Sequence, residues 1–117
     1  MNSVDLAFMP ALEQARLIRS KDISPLELTE LYLRRIEQLN PQLGSYVAIA
    51  AEQAIADARA KTERLAGDSS ELPLFFGVPI SIKDLNAVAG LPCAYGVRWL
   101  KQRIATEDDG VVTRIKQ

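Results

Sequence analysis

The stretch "FFGVPISIKDLNAVAG", residues 75–90, is central to any interpretation of this chain. Its side chains alternate: Phe76, Val78, Ile80 and Ile82 point one way, and Gly77, Pro79, Ser81 and Lys83 the other. This period of two predicts a strand over 76–82. Because Pro79 cannot donate to a ladder, it places the strand at a sheet edge, a bulge or a strand end. An apolar strand that ends in an ammonium group raises the question of what the amine does.

Helices are predicted on both sides of this stretch. Apolar residues spaced by three or four indicate a helix over 4–19 and another over 51–66, with Gly67 as its stop. A further helix begins at Ser24, a natural N-cap followed by Pro25 and Glu27, and the Asn40-Pro41 pair is expected to close it.

A last helix is predicted to begin at Asp108 or Asp109, and it reaches Gln117 without a terminating signal. A short strand is predicted at 45–50, so a strand, a helix and a strand follow one another as in a crossover unit. We therefore expect an α/β fold, with N-terminal helices and the first strands of a mixed sheet covered by helices. Because two strands are too few for a stable sheet, this fold is expected to be incomplete.

Composition narrows the possible partners. The 117 residues include 14 basic and 15 acidic side chains, so the net charge of −1 gives no electrostatic reason to expect nucleic acid or an anionic membrane as a partner. The N-terminus lacks a basic leader, and no apolar run is long enough to span a membrane. The expectation is a cytoplasmic, soluble protein.

The chain contains no histidine and one cysteine, Cys93. A Ser-His-Asp triad, an imidazole metal site and a cluster of cysteines are therefore excluded within these residues, and no cofactor or metal is expected. Any chemistry must use lysine, carboxylates, hydroxyls or backbone amides. We expect Cys93 to be a small buried or half-buried residue and Trp99 and Leu100 to pack in the core.

Lys83 has two interpretations from the residues alone. Most strand-end lysines lay their methylenes along the surface and place the ammonium group in water. A desolvated lysine can instead become neutral and take a proton from a hydroxyl, which is the work that histidine does elsewhere.

The segment from Gly77 to Asp84 resembles the lysine motif of the amidase signature family, which reads G-(I or V)-P-(I or L)-x-(I, V or L)-K-D. The similarity extends to "KDISPLELTELYLRRIEQLNPQLGSYVAI", residues 21–49, and to "DDGVVTRIKQ", residues 108–117. It implies that the chain is the N-terminal part of a single amidase-signature domain, with a helical segment at 1–43 and the start of the α/β core at 44–117.

The resemblance also implies an amidase that hydrolyses carbon-nitrogen bonds with a nucleophilic serine, a second serine in a cis peptide, and a lysine. Lys83 would be the catalytic base, Gly77, Pro79 and Ser81 would support the motif, and Asp84 would fix the adjoining loop. The family's serine-rich loop is absent, since the one Ser-Ser pair, Ser69-Ser70, precedes the lysine. The chain alone is therefore expected to be inactive.

Two alternatives stay open. The same motif occurs in the glutaminase-like A subunits of tRNA-dependent amidotransferases. A non-enzymatic alternative is a truncated module that pairs with a partner chain or with itself. The expected partner is a small-molecule amide whose identity cannot be read. Neither nucleic acid nor a membrane is expected to bind directly, and a homodimer is left open.

Overall fold

The chain begins with two short helices where one was predicted over 4–19. In the computed structural model, which describes residues 2–117, helix α1 spans Ser3–Ala7 and helix α2 spans Ala11–Arg19. The break lies at Pro10, because a proline disfavours helical backbone in the residue before it and lacks an N–H to donate. The side chain of Asn2 caps α1.

Helix α3 spans Pro25–Leu43 and begins as predicted. Ser24 Oγ accepts from the Glu27 N–H at 3.1 Å, and the Glu27 carboxylate accepts from the Ser24 N–H at 2.8 Å. The predicted end at Asn40-Pro41 is wrong, since the helix continues through Pro41. A proline so near the C-terminus removes only one intrahelical bond, and the left-handed Gly44 then ends the helix by donating to the Asn40 carbonyl at 2.8 Å.

Helix α4 spans Ala51–Ala66, as predicted, and packs against α3. Thr62 links the two helices, since its hydroxyl accepts from the Leu26 N–H at 3.2 Å and donates to the Ala58 carbonyl at 2.8 Å. The Leu26 N–H lies in the first turn of α3, where no carbonyl of the same helix can bond it. The side chain of Thr62 therefore satisfies a donor that the helix leaves free.

These helices belong to the first of two units. Unit 1 runs up to Tyr46 and resumes over Ala51–Pro79, and unit 2 consists of Val47–Ala50 and Ile80–Gln117. The core of unit 1 is made by buried side chains of α2, α3 and α4 and of the segment that follows: Ile18, Leu28, Leu65 and Phe76. Buried Gln14 is satisfied there, donating to the Leu6 carbonyl at 2.9 Å and to the Tyr32 hydroxyl at 2.7 Å.

The predicted α/β fold with a mixed sheet is wrong. Neither 45–50 nor 76–82 forms a strand, and the pairing found within residues 2–117 is one isolated antiparallel bridge between Pro92 and Ile104. An apolar alternating segment becomes a strand only beside another extended segment, and neither segment has one here. A turn interrupts the second segment instead, with the Val78 N–H donating to the Phe75 carbonyl at 3.1 Å.

Unit 2 contains little regular structure. It has a 3₁₀ turn at Arg98–Leu100 and helix α5 at Gly110–Lys116, whose N-cap is Asp109, one of the two predicted caps. Cys93 is buried, as predicted. The predicted burial of Trp99 is wrong, because its side chain is 84% exposed. Within residues 2–117, no helix has the length and apolar character needed to cross a membrane.

Candidate functional site: the lysine-bearing segment

The motif of residues 77–84 begins in unit 1 with Gly77. This glycine is buried and has φ +80°, and a Cβ built on it would lie 2.7 Å from Pro25 Cγ and 3.3 Å from Ile18 Cδ1. Its φ suits the third position of the turn that starts at Phe75. Both the backbone conformation and the space therefore require glycine at this position.

The middle of the motif passes from unit 1 to unit 2 between Pro79 and Ile80. Pro79 and Ile82 are half-buried, whereas Ile80 and Ser81 are exposed. The alternation seen in the sequence thus does not separate a buried face from an exposed one. Ser81 makes no side-chain hydrogen bond within residues 2–117, so its role in the motif stays a prediction.

Lys83 is exposed. Its carbonyl accepts from the Asn86 N–H at 3.0 Å, so the lysine is the first residue of a turn. Neither of the two ion pairs formed within residues 2–117 includes its ammonium group. In this part of the protein the amine is therefore open to solvent.

Asp84 is half-buried and is bonded on three sides by consecutive backbone N–H groups. One carboxylate oxygen accepts from the Ala94 N–H at 2.8 Å and the other from the Gly96 N–H at 3.3 Å. Between them, the Asp84 carbonyl accepts from the Tyr95 N–H at 3.1 Å. The residue after the lysine is thereby tied to a loop ten positions further along.

That loop contains a tight turn. The Val97 N–H donates to the Ala94 carbonyl at 2.8 Å, and the two central residues, Tyr95 and Gly96, have φ +51° and +72°. Two positive values in succession are typical of a type I′ turn, in which a tyrosine is unusual. Interaction with the neighbouring Cys93 thiol raises the pKa of the Tyr95 phenol.

Two further carboxylates secure the segment between Lys83 and this turn. Asp109 accepts from the Ala87 N–H at 2.8 Å, and Asp108 accepts from the Ala89 N–H at 2.7 Å. Asp108 also pairs with Lys116 at 2.8 Å, and the hydrogen bonds from Lys116 and Ala89 lower the pKa of Asp108. The sequence showed these aspartates only as helix caps, because a bond across about twenty residues has no local signal.

All serines of these 117 residues precede Lys83 in the sequence, so none occupies a position after the lysine. Ser69 and Ser70 lie in the loop after α4, and the Ser70 hydroxyl and N–H donate to Asp68 and lower the pKa of that carboxyl. Among residues 2–117, no group of three or more histidine, cysteine or acidic side chains could hold a metal ion.

Comparison with known proteins agrees with the motif. The family model described as Amidase matches residues 27–117, which include all of the motif. A Synechocystis sp. protein provisionally named an amidase is 50% identical over 114 residues, which are 96% of this chain and 22% of that protein. An acylamidase from Rhodococcus erythropolis is 34% identical over 99% of this chain and 24% of its own length.

A relative of a different kind is the A subunit of the glutamyl-tRNA(Gln) amidotransferase of Methylobacillus flagellatus. It is 40% identical over 101 residues, which are 86% of this chain and 20% of that relative. The chain thus spans between a fifth and a quarter of the length of these relatives.

Proposed function

The chain belongs to the amidase family, and we propose that it serves the hydrolysis of amide bonds with Lys83 as the catalytic base. The observation that carries the proposal is the complete lysine motif of residues 77–84, which lies inside the residues that the family model matches. Two relatives whose names refer to amide hydrolysis support the reaction class.

In the proposed mechanism, neutral Lys83 takes a proton from a serine in a cis peptide, and that serine takes the proton of the nucleophilic serine. The nucleophile attacks the amide carbonyl, backbone N–H groups stabilise the oxyanion, and the amine leaves with a proton. Water then releases the acid from the acyl-enzyme. Since no serine follows Lys83 in these 117 residues, we assign both serine roles to residues outside them.

The exposure of Lys83 adds a requirement to this mechanism. Burial away from water favours the neutral form of an amine, which is the form that can accept a proton. Residues 2–117 leave Lys83 exposed, so they do not supply that burial. We therefore propose that the residues carrying the two serines also cover the lysine.

A chimera tests the proposal. The 114 aligned residues of the Synechocystis relative are replaced by this chain, and the protein is treated with a fluorophosphonate probe. In labelling, a serine oxygen bonds to phosphorus, fluoride leaves, and the base takes the serine proton. We expect the chimera to be labelled and Lys83→Ala to slow labelling by roughly 10²–10⁴-fold, the usual contribution of a general base.

The matched control is Lys101→Ala, which removes another exposed lysine of unit 2 and should leave the labelling rate unchanged. Labelling of the Lys83→Ala chimera at the parental rate would refute the assigned role. A chimera that stays unlabelled while the intact relative is labelled would count against the proposed function. The chain alone should not be labelled.

The Methylobacillus relative supports a second candidate, a glutaminase-like component of an amidotransferase. The test replaces the 101 aligned residues of that relative by this chain and measures ammonia release from glutamine. Ammonia release from glutamine by the Methylobacillus chimera but not by the Synechocystis chimera would favour the second candidate. Under either candidate the substrate is a small-molecule amide, and the homodimer stays a prediction that sedimentation of the chain can test.

A further inference from the structure

We propose that Asp84 is a positioning residue for Lys83, a role that rests on the proposed function. Its carboxylate accepts from the backbone N–H groups of Ala94 and Gly96, and its main-chain carbonyl accepts from the Tyr95 N–H between them, so Asp84 fixes the turn that begins at the lysine. Successive N–H groups in a turn form anion-binding concavities. Here the anion is a side chain of the same unit.

The geometry leaves residue 84 little freedom. Both carboxylate oxygens are used, and the main-chain carbonyl accepts a third bond from the N–H that lies between the other two donors. The side chain and the backbone of Asp84 are thus tied to the same tripeptide. Lys83 is the adjacent residue, and its own carbonyl is held by Asn86 at 3.0 Å. The peptide that follows Lys83 is therefore held at its carbonyl and at the next residue.

The tripeptide is held in a costly conformation. Tyr95 has φ +51°, a left-handed backbone value that residues other than glycine rarely adopt. This conformation, with Gly96 at φ +72°, belongs to the turn that presents its N–H groups to Asp84. The bonds to the carboxylate offset the strain at Tyr95, since charge-assisted hydrogen bonds are the stronger kind.

Asp84→Asn is the most informative substitution. Asparagine keeps the shape of the side chain, but its NH₂ group is a donor. It must face one of the two backbone N–H groups that bond to a carboxylate oxygen in the unsubstituted protein, so two donors would oppose each other. In the 117-residue chain, we expect the Ala94 and Gly96 amides to exchange with solvent deuterium at least about tenfold faster. Amides of α4, in unit 1, should keep their protection, and Glu107→Gln, which removes an exposed carboxylate of unit 2, should change neither set.

Kinetics of the Synechocystis chimera provide the readout that a merely structural role would not change. We expect Asp84→Asn to lower the maximal rate of fluorophosphonate labelling by about tenfold or more, with the half-saturating probe concentration nearly unchanged. Adding Tyr95→Gly should recover roughly tenfold. The usual free-energy cost of a left-handed residue other than glycine corresponds to a rate factor of roughly ten.

The outcomes separate this proposal from the proposed function. If Lys83→Ala slows labelling as expected while Asp84→Asn leaves the labelling rate unchanged, the positioning role is wrong and the proposed function stands. If Lys83→Ala has no effect, the proposed function fails. Three other results would each overturn the positioning role. In hydrogen exchange, Asp84→Asn could remove protection throughout α4, or the Ala94 and Gly96 amides could already be unprotected in the unsubstituted chain. In labelling kinetics, Asp84→Asn could change only the half-saturating probe concentration.

Discussion

Gly77→Ala should destabilise unit 1 more than an ordinary glycine substitution. Gly77 has φ +80°, and an added Cβ would lie 2.7 Å from Pro25 Cγ, a separation that real Cβ atoms essentially never show. Pro25 cannot yield easily, because it is fully buried and is the first residue of α3. The new methyl group therefore forces a shift in a packed region.

Two costs add at this position. A left-handed alanine costs about 1–2 kcal/mol, and overpacking a core costs about 1–3 kcal/mol. The sum, about 2–5 kcal/mol, is a large part of the roughly 5–15 kcal/mol by which typical domains are stable. Gly44→Ala is the matched control, since Gly44 also lies in unit 1 and has φ +61°, but a Cβ there meets nothing within 4 Å. The control should lose only the first cost.

Urea unfolding followed by circular dichroism at the helix band measures both variants. The unfolded-state entropy that alanine removes is similar in the two and cancels in the difference. We expect Gly77→Ala to lose about 1–3 kcal/mol more than Gly44→Ala. Adding Pro25→Ala should reduce this excess, because it removes the closer of the two clashing proline atoms. Equal losses within about 0.5 kcal/mol would refute the close-approach argument.

Two further predictions concern α3 and the core. Ser24→Ala should cost about 0.5–2 kcal/mol of unfolding free energy, with Ser45→Ala as an exposed control. Hydrogen bonds from Ser24 lower the pKa of Glu27 below its ordinary 4.5, so the carboxylate's contribution is present above that value and is lost as pH falls through the lowered pKa. Ser24→Ala keeps the backbone N–H bond to Glu27 and removes the bond from the Ser24 hydroxyl, so the stability difference between wild type and variant should shrink in acid by the share of the hydroxyl bond. A difference that does not shrink would contradict this linkage. Ile18→Ala replaces a side chain with 0% exposure and should lower the free energy of unfolding by about 2–5 kcal/mol in the same urea assay. Leu43→Ala replaces a side chain with 67% exposure and should change the free energy of unfolding by less than about 0.5 kcal/mol.

The helices could be predicted because their signals are local. The N-cap of α3 needs only Ser24, Pro25 and Glu27, and the capping box in the structure joins two of these. The period of apolar residues in α4 likewise predicts its bounds, and Gly67 follows directly after its last residue. The split of the first helix at Pro10 was missed, although the proline itself was a signal.

The strands could not be predicted from the same kind of pattern. A strand depends on a second extended segment at hydrogen-bonding distance, and the alternation over 76–82 shows nothing of whether one is present. The helical period of α3 and α4 carries no such condition, since a helix closes its bonds within itself. The predicted burial of Trp99 was wrong for a related reason, because the burial of a side chain depends on which residues pack against it in the fold.

From sequence alone, the family was available, because its lysine motif is a contiguous pattern from Gly77 to Asp84, while the role of Lys83 stays a prediction. The folded chain added how that pattern is held. Gly77 approaches Pro25 too closely for any side chain, and Asp84 receives N–H groups from residues ten to twelve positions away. These contacts join segments distant in sequence, so no pattern of neighbouring residues could reveal them.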